Sequence, residues 1–139
     1  MDISVNYLAV FLAAIVSVVV GAVWYSNTVL GQTWRKLVRL TGEDIEDNTL
    51  SANIKAFAMS LLSAFILFNI TFLYHQYFNS SWMSASLGTA FWVWLGFIVT
   101  SHVTHDTFRK RDFRLTTISL GHHLMEFLAM GLVIGLIGR

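Results

Sequence analysis

Long apolar segments alternate with short polar ones along this chain, and four of the apolar segments are long enough to cross a bilayer. They cover residues 5–25, 54–75, 84–105 and 114–137. Each approaches the roughly 20 residues that a helix needs to cross about 30 Å of hydrocarbon. Backbone polar groups in lipid must be paired within the segment, so each is predicted to be a helix. The pattern predicts an all-α integral membrane protein with four transmembrane helices in two hairpins, forming one domain over 1–139.

A shorter pattern between the first two transmembrane helices, at about 29–40, is amphipathic. Its apolar residues recur at helical spacing, and its polar residues occupy the opposite face. The apolar set is Leu30, Trp34, Leu37 and Val38, and the polar set is Gln32, Arg35, Lys36 and Arg39. This pattern predicts a short helix lying in the membrane interface. An acidic run follows it and is predicted to be a solvated linker; it consists of Glu43, Asp44, Glu46 and Asp47.

Composition supports a membrane protein and excludes several other classes. Hydrophobic residues make up 55% of the chain, charged residues 12%, and the mean hydropathy is +0.62. A soluble domain carries roughly a quarter charged residues. The chain has no Cys, which excludes disulfides and thiolate metal sites, and its net charge of +1 is far from that of a nucleic-acid binder. No Lys or Arg precedes the first apolar segment, so we expect a retained helix rather than a signal peptide.

Basic residues predict the orientation. Eight of the nine Lys and Arg residues lie in, or within two residues of, the connection between helices one and two and the connection between helices three and four, and only Arg139 lies on the other side. Cytoplasmic loops carry the excess of Lys and Arg. Both connections are therefore predicted to be cytoplasmic, and both termini to lie outside the cytoplasm.

Small residues recur at four-residue spacing in three of the predicted helices. They are Ala9, Ala13, Ser17 and Gly21 in the first helix, Ala52, Ala56, Ser60 and Ala64 in the second, and Gly131 and Gly135 in the fourth. Small residues on one helix face allow two backbones to approach closely in lipid. We interpret the stripes as helix-packing faces within a hairpin, and the alternative is a self-association face.

Ionisable residues inside the apolar segments form the candidate site. Helix four carries His122, His123 and Glu126, and helix three carries His102 and His105. Glu126 falls near the bilayer midplane, and either neighbouring imidazole can lie beside its carboxylate on one helix face. Two interpretations are open: an interhelical hydrogen-bond network that fixes packing, and a site that handles protons or ions.

A metal site is a further interpretation, because two histidines on each of two adjacent helices resemble a ligand set. However, the hairpin turns near residue 109, which places His102 opposite about residue 117 and not opposite His122 or His123, a depth mismatch of roughly five residues or about 7 Å. We therefore predict no cofactor, with a metal or a haem as alternatives. No nucleophile motif, phosphate loop or dinucleotide fingerprint is present in the sequence, so an enzyme is not predicted.

Two stretches of the chain resemble a known family. The first runs from Gly21 through Trp24-Tyr25-Ser26 to Gly31 and Trp34, and the second includes Gly121-His122-His123-Leu124. Together they are similar to small bacterial four-helix membrane proteins known as the domain of unknown function 1761 family. Members usually have Pro after the Ser, where this chain has Asn27. In this comparison His105 and His123, rather than His102 and His122, match the family's pattern; the resemblance implies a fold and a membrane but no activity.

These observations lead to one prediction of function with two alternatives. We predict a non-catalytic subunit of a bacterial inner (plasma) membrane, acting as a homo-oligomer or in a larger membrane complex. The first alternative is a proton- or ion-linked transporter or channel subunit built around Glu126 and the histidines. Four packed helices enclose no useful pore, so transport would need several copies. The second alternative is a metal or haem redox carrier.

Overall fold

The computed structural model describes residues 5–38 and 49–139, and within these ranges the chain is helical without any strand. The helices are α1 (Tyr7–Trp24), α2 (Gly31–Val38), α3 (Thr49–Phe78), α4 (Trp82–Phe108) and α5 (Phe113–Ile137). Four of them, α1, α3, α4 and α5, are long and apolar enough to cross a membrane. The predicted all-α membrane fold is confirmed. The acidic run from Glu43 to Asp47 and the end of the amphipathic segment, Arg39 and Leu40, lie outside the described residues.

Side-chain caps define the starts of three of the membrane helices. The Asn6 side chain accepts a hydrogen bond from the Ala9 amide at 3.1 Å, and Ser81 and Asp112 play the same role for α4 and α5. These residue types satisfy amide groups that the first helical turn leaves unpaired. Asn6 also donates from Nδ2 to the carbonyl of Ile137 at 2.8 Å, which joins the start of α1 to the end of α5.

The four long helices form a closed ring in which every neighbour is antiparallel. Helix α1 packs between α3 and α5, and α4 packs between the other sides of α3 and α5. The α1–α3 and α4–α5 pairs are the two predicted hairpins. We call the end that carries Lys55, Arg109, Lys110, Arg111 and Arg114 the basic end, and the end that carries Asn6, Trp82 and Ile137 the terminal end.

Apolar side chains fill most of the terminal half of the ring, and three hydroxyl groups from α3 and α4 are buried among them. Leu67 and Phe68 from α3 meet Met130 and Ile134 from α5, and all four are almost completely buried. Trp82 closes this end and donates from Nε1 to the Ile134 carbonyl at 2.7 Å. No water-filled path is therefore expected through this half of a single chain.

The residues of the small-residue stripes in α1 and α3 differ in how far they are buried. Ala9, Ala13 and Ser17 of α1 are buried, as are Ser60 and Ala64 of α3, whereas Ala52 and Ala56 are exposed. The prediction that Ala52 and Ala56 pack within the hairpin is therefore wrong. The Ser17–Ser60 bond sets the register: α1 ends seven residues after Ser17, so Ala52, eight residues before Ser60, lies past the end of α1, whereas Ala56 lies beside α1 on a face that α1 does not cover.

The glycines of α5 pack against α4. A Cβ atom on Gly131 would lie 3.0 Å from the backbone oxygen of Ser86, and one on Gly135 would lie 2.6 Å from the sulfur of Met83. This close approach is what small residues permit in lipid.

A π-helical segment interrupts α4 between Trp94 and Val99. Such segments insert an extra residue into a turn, which rotates the rest of the helix and often occurs at functional positions. The Trp94 indole donates to the Leu120 carbonyl of α5 at 3.0 Å at the start of the segment. The hydropathy pattern does not reveal this segment, which lies between the terminal half of α4 and the part that carries His102.

Candidate functional site

Polar side chains from three helices meet around Glu126 in the middle of α5. Ser17 of α1 donates to Oε1 of Glu126 at 2.5 Å, and His123 donates from Nδ1 to Oε2 at 2.9 Å. Ser17 has a single hydroxyl proton, and it is used in this bond. The hydroxyl of Ser60 on α3, which lies 3.0 Å from Ser17 Oγ, is therefore the donor in that pair. We call these four residues the Glu126 network.

His102 of α4 lies beside the network, with its ring centroid 5.0 Å from that of His123. The predicted depth mismatch between these two histidines is wrong. Side chains lean toward the N-terminus of their own helix, and the two helices are antiparallel, so the two imidazoles lean toward each other. His102 shows this direction directly, because its Nδ1 donates to the Ile98 carbonyl one turn earlier at 3.1 Å.

His122 lies on the other side of the network, under the end of α1. Its ring centroid is 5.0 Å from Tyr25, 5.0 Å from His123 and 6.4 Å from Trp24. A Cβ atom on Gly21 would lie 3.3 Å from His122 Nε2, so the glycine makes room for the imidazole. His122 Nε2 is buried and has no hydrogen-bond partner among the described residues.

The turn between α1 and α2 covers His122 from the basic end. Tyr25 packs edge-on against Trp34 of α2, with centroids 5.3 Å apart, and the Gly31 amide donates to the Ser26 carbonyl at 2.9 Å. A Cβ atom on Gly31 would overlap the carbonyl oxygen of Tyr25, so this turn requires glycine. Burial raises the pKa of the Tyr25 phenol, and interaction with Ser119 acts in the opposite direction.

The remaining histidine of the candidate set is separate from this site. His105 is exposed and lines a surface pocket with Ser101, Thr104 and Arg109. Next to it, Asp106 is buried, accepts a hydrogen bond from Thr116 at 2.7 Å and pairs with Arg111 at 3.5 Å. This group fastens the α4–α5 hairpin at the basic end.

The arrangement can hold a proton or a cation. One possible ligand atom from each of His122, His123 and Glu126 lies within 4.8 Å of the others. A haem with two axial histidines would separate their rings by the thickness of a macrocycle. The direct contact of His102 with His123 does not fit that geometry.

The sequence analysis assigned Ser17 and Ser60 only to packing. Both are bonded to the site, and the signal that could have revealed this is their depth. Each is a hydroxyl in a small-residue stripe inside a predicted span; Ser17 lies near the middle of its span, as Glu126 does in its own, and Ser60 lies about a third of the way along its span. A hydroxyl in lipid needs a partner, and a carboxylate at the same depth is the natural one.

The family model described as a protein of unknown function (DUF1761) matches residues 8–135. The chain belongs to this family. The two stretches that carry the resemblance to DUF1761 pack together in space, because the ring of Trp24 lies 3.0 Å from where a Cβ atom of Gly121 would be. The Trp24-Tyr25-Ser26 turn of this DUF1761 chain therefore covers the site on the side where His122 lies. No curated protein and no solved structure matches the chain.

Proposed function

We propose that this chain is a non-catalytic subunit of a bacterial inner membrane that works as a homo-oligomer or within a larger membrane complex. The observation that carries the proposal is the exposed beginning of α3. Ala52 and Ala56 have small side chains on a helix face that no other described helix covers. Such a face allows a second helix to approach closely. The filled terminal half of the ring also favours a subunit over a pore made by one chain.

The proposal is tested by cysteine cross-linking in native membranes. The chain has no cysteine, so Ala56→Cys introduces a single thiol. We expect an adduct at Ala56, of twice the chain mass for a homo-oligomer or of another mass for a different partner. Ala22→Cys is the control: Ala22 is also exposed, and the Ser17–Ser60 bond puts it at about the same depth on α1. Equal adduct formation at both positions, or none at Ala56, contradicts the proposal.

A second candidate, proton- or ion-linked transport, is favoured by the Glu126 network. Its bonds run from Ser60 through Ser17 and Glu126 to His123, where His102 adjoins on the side toward the basic end. The apolar terminal half interrupts any path beyond the network, so transport would use several copies or a change of packing. Proton flux into liposomes, compared between wild type and Glu126→Gln, tests this candidate. Equal flux in both, at the level of empty liposomes, excludes it.

A further inference from the structure

We infer that His122, His123, Glu126 and His102 form a binding site for one divalent transition-metal ion such as Zn²⁺. The inference does not depend on the proposed function, because an oligomeric subunit and a transporter could each hold such an ion. Two histidines and a carboxylate are a ligand set that zinc uses in proteins.

The distances fit a site that closes on an ion. Donor atoms around one tetrahedral zinc lie about 3.3 Å apart, given bond lengths of about 2.0 Å. His123 Nδ1 and Glu126 Oε2 are 2.9 Å apart, and the donor atoms of His122, His123 and Glu126 lie within 4.8 Å of one another. All three ligands are on one helix, so their backbone spacing is fixed, and rotation of their side chains would have to close the remaining gap.

Surrounding groups already orient these ligands. Ser17, backed by Ser60, donates to the Glu126 oxygen that is not bonded to His123. Hydrogen bonds of this kind hold the ligand groups of metal sites in place. His122 is held between Gly21 and the ring of Tyr25. Its buried Nε2 has no hydrogen-bond partner among the described residues, and a bound ion or a water molecule on that ion could provide one.

His102 is not among the three residues whose donor atoms lie within 4.8 Å of one another, and it would join them as the fourth donor when the site closes on the ion. Its Nδ1 donates to the Ile98 carbonyl, so in the neutral imidazole Nε2 carries the free lone pair that a metal requires. The ring is already in contact with His123, across the α4–α5 interface. Because His102 follows the π-helical segment of α4, ion binding would also join the rotated part of α4 to α5.

Metal titration of the full chain tests this inference. The protein is purified in nanodiscs through a tag without histidine, stripped with a chelator and titrated with Zn²⁺ and with Co²⁺. We expect one ion per chain by elemental analysis, together with the visible absorption of tetrahedral Co²⁺. Loss of any one ligand among His122, His123 and Glu126 is expected to weaken binding about 100-fold, since even outer-shell changes cost 10- to 100-fold.

Two variants separate the site from adventitious binding. His102→Ala should weaken binding about 10-fold or more and change the Co²⁺ spectrum, whereas His105→Ala, one turn away and exposed, should do neither. The Glu126→Gln side chain can keep both hydrogen bonds that Glu126 makes, so the fold of this variant is expected to survive and is checked by circular dichroism. Binding that is not saturable at one ion per chain, or that is as strong in Glu126→Gln and His123→Ala as in the wild type, overturns the inference.

Discussion

At the scale of single residues, Glu126 joins three of the four membrane helices. It accepts hydrogen bonds from α1 through Ser17 and from its own helix through His123, and Ser60 of α3 bonds to Ser17. An ionisable group in lipid is costly unless it is paired, and polar bonds between membrane helices contribute roughly 0.6–2 kcal/mol each. The bundle therefore depends on Glu126 as an acceptor, whether or not an ion binds.

Replacement of Glu126 separates hydrogen bonding from charge. Gln can accept from His123 and donate to Ser17, so we expect Glu126→Gln to lower the free energy of unfolding by less than about 1 kcal/mol. Glu126→Ala strands two donors and should cost about 2 kcal/mol or more. Unfolding in mixed micelles with a chelator present measures both values.

Double-mutant cycles identify which residues act with Glu126. The effects of Glu126→Ala and His123→Ala should be non-additive by about 0.5–3 kcal/mol, because the two side chains share one hydrogen bond. Glu126→Ala combined with Asp106→Ala is the control, since Asp106 bonds to Thr116 and Arg111 instead. If the two effects in the His123 cycle are additive, Glu126 and His123 contribute to packing independently, and this prediction is wrong.

At the scale of elements, the α1–α2 turn is shaped by close backbone contacts. Gly31 lies against the carbonyl oxygens of Tyr25 and Ser26, and Ser26 donates from Oγ to the Val23 carbonyl at 2.7 Å. These contacts turn the chain sharply after α1, so that Trp34 of α2 packs against Tyr25. The amphipathic helix α2 thus supports the cover of His122, in addition to the position in the membrane interface that its sequence predicts.

Substitution of Gly31 tests this role of the turn. Gly31→Ala forces the added methyl group into the Tyr25 carbonyl, so we expect a loss of about 1–3 kcal/mol and a change in tryptophan fluorescence from Trp24 and Trp34. Gly88→Ala is the matched control, because nothing lies within 4 Å of its added Cβ atom and alanine favours a helix. Similar stability and fluorescence for both variants would show that the turn does not require glycine.

At the scale of the whole molecule, polarity is distributed unevenly along the bundle axis. The basic end collects Lys and Arg residues of α3, of α5 and of the connection between α4 and α5, the Glu126 network lies in the middle, and the terminal half is mostly apolar and filled. An even number of spanning helices puts both termini on one side. The positive-inside rule favours the basic end as the cytoplasmic one.

Reporter fusions test this orientation. A reporter that is active only in the cytoplasm should give a signal when inserted at Lys110 and none when fused after Arg139. A periplasmic reporter at the same two positions is the control and should give the opposite result. A cytoplasmic signal from the fusion after Arg139 would contradict the predicted topology.

The sequence by itself determined the membrane helices and the asymmetry of charge. Span length and hydropathy are local properties, and backbone pairing in lipid leaves the helix as the only solution for such segments. The family resemblance was carried by local motifs, Trp24-Tyr25-Ser26 and Gly121-His122-His123, and was confirmed over residues 8–135.

Only the tertiary structure decided which polar residues meet. Ser17 and Glu126 are 109 positions apart in the chain, and their contact depends on α1 packing against α5. The meeting of His102 with His123 depends on side-chain direction across an antiparallel pair, and linear counting from the turn placed them at different depths. The exposure of Ala52 likewise depends on where α1 ends beside a longer helix, and that of Ala56 depends on how α3 is rotated against α1. Rotation, direction and length of neighbouring helices are relations between segments, and a hydropathy pattern describes each segment alone.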